Sequence, residues 1–227
     1  MPRTAVLLLA AGSGTRVGAG TNKVLLPMAG VPVLAWSLRT ITALEYVERL
    51  VVVHRDEDRE VVADVVRDEL PEGREATLVA GGSTRHDSEW RGLQVLRDDV
   101  AAGRLDVVVI HDAARPLAGS ALFDATVVAA HEYGGAIPVR PQPGLLHRQF
   151  GGPVAGVVGV QTPQAFGAAA LLDAYTRADA DGFDGTDTAA CVARYTNVTV
   201  RAVQAPATNV KITFAGDVAL AARLLRS

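Results

Sequence analysis

"LLLAAGSGTRVGAGTNK" runs from Leu7 to Lys23. An apolar run stops at a glycine-rich loop that carries one arginine and ends in one lysine. The run reads as a strand feeding a loop at the carboxyl edge of a sheet, where open α/β sheets bind ligands. Two well-known phosphate loops fail against it. The dinucleotide pattern G-x-G-x-x-G finds Gly12 and Gly14, but Val17 holds the third place and Gly18 misses by one. No acidic residue closes the second strand, which runs out as His54-Arg55-Asp56. The Walker pattern needs Gly before its lysine and Ser or Thr after it; Lys23 lies between Asn22 and Val24. What remains is a small-residue loop, Ala10, Ala11, Gly12, Ser13 and Gly14, followed by two cations. Its backbone N–H groups can approach a phosphate closely. Arg16 can grip two phosphate oxygens, whereas Lys23 acts as a point charge. The same residues also suit an ordinary turn with solvated cations, and the loop alone leaves both readings open.

Composition narrows the classes. The chain has 227 residues, of which 49% are hydrophobic and 5% aromatic, with a formal net charge of −3. That length suits one large α/β domain. Low aromatic content and an acidic balance argue against a nucleic-acid polymer as partner. An anionic ligand must therefore be held by local cations and backbone N–H groups. Cys191 is the only cysteine, which fits a reducing cytoplasm and excludes an internal disulfide. No apolar run approaches the ~20 residues of a membrane span. The start, "MPRTAVLLLAAG", imitates a short signal peptide, but the loop behind it favours a strand.

Beyond this stretch, short Val/Leu/Ile runs alternate with amphipathic stretches. Strands are expected at 5–10, 49–54, 76–80 and 106–111, with helices at 33–44, 57–69, 87–98 and 120–132. Alternation of this kind predicts a mainly parallel sheet with right-handed crossovers. Residues 138–164 hold five prolines and five glycines and read as an extended arm leaving the sheet. A helix at about 167–178, a loop at 178–188, a short helix, a strand at 196–203 and a helix at about 215–226 complete the chain. The expectation is one domain, 1–227, with an arm at about 138–160.

Two further motifs follow strands. In "HDAARP" (111–116), Asp112 sits at the same sheet edge as the first loop. A carboxylate there can hold Mg²⁺, which takes few protein ligands and several phosphate oxygens; it also suits a helix cap or a loop brace. Arg115 reads as a brace and His111 as structural. In "GGSTRHDS" (81–88), Gly81 and Gly82 would let main chain read a base edge. Ser88 could contact base or ribose, and Arg85 and Asp87 could pair to hold the loop.

Together "AAGSGTR", Lys23, "GGSTRHDS", "HDAARP", "QTPQAF" (161–166) and "NVKIT" (209–213) resemble the cytidylyltransferases of the methylerythritol-phosphate branch of isoprenoid synthesis, in the family's order over nearly the whole chain. Ribitol-phosphate cytidylyltransferases share most of these motifs. The resemblance implies a Rossmann-like, three-layer nucleotidyltransferase fold with a protruding β-arm that builds a homodimer. It implies transfer of CMP from CTP to 2-C-methyl-D-erythritol 4-phosphate, with release of pyrophosphate and Mg²⁺ as cofactor. It implies catalytic cations at Arg16, Lys23 and Lys211. Nucleotide contacts would come from residues 10–14, Gly81, Gly82, Ser88 and Asp112, the last also holding the metal. Thr162 and Thr186 match hydroxyls of the acceptor pocket.

The chain departs from the family in the arm. The family's Pro-Val-x-Asp-Thr-x-Lys stretch is here "PVRPQPG" (138–144), so Pro141, Gln142 and Gly144 replace an acid, a hydroxyl and a cation. Val154 stands where the family has an arginine. Arg140, His147 and Arg148 remain as arm cations, and Arg140 and Arg148 are the candidates for the acceptor phosphate. Three readings stay open here: a methylerythritol-phosphate enzyme with a rewired arm, transfer to another polyol phosphate such as ribitol 5-phosphate, or a nucleotide-binding paralogue with little activity.

Overall fold

The computed structural model describes residues 1–12, 22–142 and 156–226. In chain order the elements are β1 (Thr4–Leu9), a 3₁₀ turn (Lys23–Leu25), β2 (Pro27–Met28), β3 (Val31–Pro32), α1 (Val33–Thr42) and β4 (Val47–His54). Next come a 3₁₀ turn (Asp56–Asp58), α2 (Arg59–Glu69), β5 (Ala76–Ala80), α3 (Arg85–Gln94), α4 (Arg97–Ala101), β6 (Val107–Asp112) and α5 (Ser120–Tyr133). Then follow β7 (Gly134–Pro141), β8 (Val158–Val160), β9 (Gln164–Gly167), α6 (Ala168–Ala180), α7 (Thr188–Tyr195), β10 (Thr199–Gln204) and α8 (Ala215–Leu224).

The main sheet runs β10-β7-β9-β6-β1-β4-β5, with β8 paired to β7. Strands β1, β4, β5 and β6 are mutually parallel, as are β7 and β10. Within this sheet, β8 and β9 run antiparallel to their neighbours. The chain winds outward from β1 through β4 to β5, then returns to place β6 on the other side of β1. A crevice opens outside the carboxyl ends of β1 and β6 at such a reversal. There Leu9 and Asp112 are register partners.

Alternation along β1 builds the two helical layers. Val6 and Leu8 pack with Leu34 and Leu38 of α1, Val62 and Val66 of α2, and Phe123 of α5. Ala5 and Leu7 face the other way, toward Trp90 and Leu93 of α3, Tyr175 of α6 and Val192 of α7. A strand buried on both faces needs the unbroken apolar run seen in the sequence. The apolar start of the chain is thus the central strand. Gly92 lets α3 lie close: a Cβ there would meet Leu7 Cδ2 at 2.6 Å. That approach aims the first turn of α3 into the crevice.

Three segments differ from expectation. The helix predicted at 87–98 is two helices, because a tight turn tucks Leu96, fully buried, beneath the layer. Residues 138–141, predicted as arm, finish β7 and pair with both β10 and β8; strand pairing overrides the prolines, since Pro141 is the strand's last residue and Pro138, in its middle, still accepts at its carbonyl from Gln161 N–H at 2.8 Å. "QTPQAF" carries a buried antiparallel strand, β9, that four residues of mixed polarity did not announce. The remaining arm residues, 143–155, with His147, Arg148 and Val154, lie outside the described residues.

Candidate active site

The crevice holds a cavity of about 630 Å³, within the ordinary size range of ligand pockets. Three strand ends supply its floor. Ala10 N–H donates to Val53 O, Gly81 N–H to His54 O and Ala113 N–H to Leu9 O, at 2.7, 2.7 and 3.0 Å. The ladder therefore continues one residue past β1, β5 and β6 and fixes where each loop departs.

Lys23 lines the cavity and is 8% exposed. Asn22 puts it there. The Asn22 amide donates to Ala10 O at 2.7 Å and to Asp58 Oδ2 at 2.8 Å, and its oxygen caps the 3₁₀ turn by accepting from Val24 N–H. The Lys23 stem runs along the first loop, since a Cβ on Gly12 would lie 4.0 Å from Lys23 Cε. Ala11 and Gly12 also line the cavity. Ala10 stands behind it, giving its carbonyl to Asn22. Ser13, Gly14 and Arg16 lie outside the described residues.

Gly81, Gly82 and Ser88 form the next wall. Ser88 Oγ accepts from Gly82 N–H at 3.0 Å and donates to Thr84 O at 2.8 Å. Its only hydrogen is thus committed to holding the turn. Thr84 caps α3 by accepting from Asp87 N–H, and Asp87 accepts in return from Ser83 N–H, both at 3.0 Å. This reciprocal cap presses Asp87 against the turn: a Cβ on Gly82 would fall 1.9 Å from Asp87 Oδ2.

Asp112 closes the cavity at the end of β6. Its side chain accepts from Arg85 Nη1 at 2.5 Å and from Lys211 Nζ at 2.6 Å, one on each oxygen. Burial alone would raise its pKa, but Arg85 and Lys211 outweigh burial and hold it well below the usual carboxylate range. The expected Arg85–Asp87 pair is not formed. Asp87 pairs with Arg91 at 3.0 Å, and Arg85 spans Asp112 and Glu89. Both carboxylates lie where a side chain leaving the first turn of α3 can reach, and Asp87 is already committed to capping. An i,i+4 Arg–Glu spacing was the available sequence signal.

Three distant motifs lock one another around this group. Asp112 N–H donates to Thr162 Oγ1 at 3.0 Å. The Asn209 amide donates to Gln161 Oε1 at 2.9 Å and Thr162 O at 3.0 Å. Arg115 Nη1 donates to Asn209 O at 2.8 Å, the bracing its position suggested. Ile212, fully buried, donates its N–H to Ala114 O at 2.8 Å and packs with Met28, Val33 and Ala221. Lys211 lies between two fixed neighbours, Asn209 and Ile212, and so meets Asp112.

The acceptor candidates are placed differently. Thr162 is 3% exposed; its hydroxyl accepts from Asp112 N–H and lies 3.2 Å from His111 Nδ1. Thr186 is exposed, and the cap of α7 is Asp187, which accepts from Ala190 N–H at 2.9 Å. Arg140 is exposed and donates to Ala207 O at 3.3 Å. None of the three lines the cavity. Arg55, Asp56 and Glu57, which the sequence passed over, do. His111 is fully buried, with its pKa pushed down to about 4 by burial.

Comparison with known proteins identifies the family. Residues 4–227 match the family model IspD, 2-C-methyl-D-erythritol 4-phosphate cytidylyltransferase. The chain belongs to the 2-C-methyl-D-erythritol 4-phosphate cytidylyltransferase family. A cytidylyltransferase of that name from Parasynechococcus marenigrum is 36% identical over 227 residues, covering 97% of this chain and 96% of its own. The crystal structure of the cytidylyltransferase from Thermus thermophilus is 30% identical, with a TM-score of 0.76 over 98% of each chain. The 4-diphosphocytidyl-2C-methyl-D-erythritol synthase of Anaerococcus prevotii shares the fold at a TM-score of 0.82 and 24% identity, covering 100% of this chain and 97% of that one. The cytidylyltransferase fold thus accounts for the mostly parallel sheet and its two helical layers. The motifs that carry the family resemblance are those that meet at Asp112 and Lys23.

Proposed function

We propose that the protein transfers CMP from CTP to 2-C-methyl-D-erythritol 4-phosphate and releases pyrophosphate. The observation that carries this reading is the convergence of Lys23, Arg85, Lys211 and Asp112, from four separate segments, on one cavity at the sheet reversal. The attacking group is a phosphate oxygen, already ionised at neutral pH, so no general base is required. The barrier is electrostatic: two polyanions must meet and the α-phosphate must carry extra charge. Fixed cations lower such a barrier because they need no reorganisation as charge develops. Lys23 and Lys211, with Arg16 from the loop, would face the triphosphate and the leaving pyrophosphate. Gly81 and Gly82 would present main chain to the cytosine.

Asp112 suits Mg²⁺. Each of its oxygens accepts one hydrogen bond and keeps a second lone pair, and Mg²⁺ typically takes one or two carboxylates plus phosphate oxygens. Among the described residues there is no cluster of three His, Cys, Asp or Glu side chains that could hold an ion without substrate. The ion, when bound, would supply charge neutralisation between phosphate oxygens. A homodimer joined through the arm fits the exposed Val158 and Val160 of β8. A cytoplasmic location fits the single, buried, unpaired Cys191. Among the described residues, no helix is long and apolar enough to cross a membrane.

The deciding experiment is pyrophosphate release from CTP against a panel of polyol phosphates. Release with 2-C-methyl-D-erythritol 4-phosphate well above that with ribitol 5-phosphate is expected. The reverse preference moves the acceptor assignment to another polyol phosphate, and CTP binding without release with any acceptor makes the protein a nucleotide-binding paralogue.

A further inference from the structure

Glu89 lies on α3, fully buried, and does not line the cavity. A carboxylate so placed is costly unless several groups satisfy it. Three do, from three helices. Arg85 Nε of α3 pairs with Oε1 at 2.8 Å, Thr188 Oγ1 of α7 donates to Oε1 at 3.1 Å, and the Tyr175 hydroxyl of α6 donates to Oε2. The consequence falls on Arg85. Its guanidinium is a rigid plane: Nε meets Glu89 Oε1 as an ion pair without hydrogen-bond geometry, so Glu89 holds that edge by charge while Nη1 donates to Asp112 Oδ1. The other oxygen of Asp112 is held by Lys211, a point charge on a flexible stem with a side chain 35% exposed.

Resting on the cytidylyltransferase reading, we propose that Glu89 is a positioning residue. It commits Arg85 to Asp112 Oδ1, so that Lys211 and Oδ2 form the exchangeable side of the site. It also ties this arrangement to α7, whose preceding loop carries Thr186. Without the charge at Glu89, Arg85 is released to turn into the cavity and bind the triphosphate in the ground state. Tighter ground-state binding with a misaligned Asp112 lowers turnover.

The test is Glu89→Gln, which keeps the volume and removes the charge; its oxygen can still accept from Thr188, and its NH₂ can donate to the Tyr175 hydroxyl. Expected are a kcat about tenfold lower, a KM for CTP unchanged or reduced, and CTP affinity by calorimetry equal to wild type or tighter. Added to Arg85→Ala, Glu89→Gln is expected to cost nothing further. A kcat within twofold of wild type, a raised KM, or losses that multiply in the double variant would overturn the proposal. Should Glu89→Gln fail to fold, Arg85→Lys reads the same link, because a lysine reaches one carboxylate but not both; an unchanged kcat there overturns it too. Wild-type turnover of CTP is the separate control: its absence sinks the functional reading. The positioning role is then judged by calorimetry alone, where CTP binding weaker than wild type in Glu89→Gln overturns it.

Discussion

Arg85 and Arg140 stand at the two ends of the proposed reaction path in very different surroundings. Arg85 is wedged between two buried carboxylates at 2.5 and 2.8 Å. Arg140 is exposed and makes one 3.3 Å hydrogen bond to a carbonyl. The crevice side is a network in which each charge fixes the next, so its geometry exists before substrate arrives. Strand β7 carries its cation by strand pairing and that one long hydrogen bond. A preorganised nucleotide half can stabilise a transition state, whereas an unconstrained cation can at most capture a ligand. Removing charge from each side separates these two roles.

The largest effect is expected at Lys23. Lys23→Ala should lower kcat for pyrophosphate release by about 10²–10³-fold, the cost of losing one aligned charged donor. Its Tm should stay near wild type, because the Asn22 amide still ties the loop to β1 and to Asp58 in the variant. Turnover within a few-fold of wild type would detach the loop from the chemistry and leave the crevice without its distinguishing role.

Next is a stability effect that belongs to the crevice side only. His111 is buried with a pKa of about 4, against roughly 6.5 in an unfolded chain. Burial comes first among the causes; Asp112 works against it and Arg115 and Arg85 with it. The unfolded state therefore takes up the proton first. Stability attributable to neutral His111 is complete above about pH 6.5 and is lost as pH falls toward 4, by about 3 kcal/mol in all. Urea unfolding between pH 7 and 4 measures it, and His111→Gln should flatten the profile over that window. An equal slope in both proteins would place the proton uptake elsewhere.

The frame of the crevice was legible and its wiring was not. The apolar runs of β1, β4, β5 and β6 announced strands buried on both faces, and the motifs at their ends lie together at one sheet edge. Lys23, Asp112 and Lys211 were each readable as charged residues just past a strand or a loop. The pairing of Asp112 with Arg85 was not, because the two come together only after α3 docks on β1 through Gly92. Glu89 was hidden for the same reason: within α3 it is one more charged residue, and only α6 and α7 reveal that it is buried. Strand β9 escaped because four residues between proline and helix carry no period. The hydroxyls of Thr162 and Ser88 suggested ligand contacts, and their hydrogen bonds within the protein were not announced by the sequence.

The smallest effect probes the other end of the comparison. Arg140→Ala should leave Tm and the KM for CTP unchanged, since the side chain is exposed and its one hydrogen bond is long. If Arg140 captures the acceptor phosphate, the KM for the acceptor rises about tenfold, the lower end of what a charge-assisted hydrogen bond contributes. Turnover at saturating acceptor stays near wild type, because a contact equally strong in ground and transition states alters binding alone. A fall in kcat with the KM intact would give Arg140 the same standing as Lys23, and the contrast between a prearranged half and a capturing half would collapse. An unchanged KM would pass the acceptor phosphate to other residues of the arm.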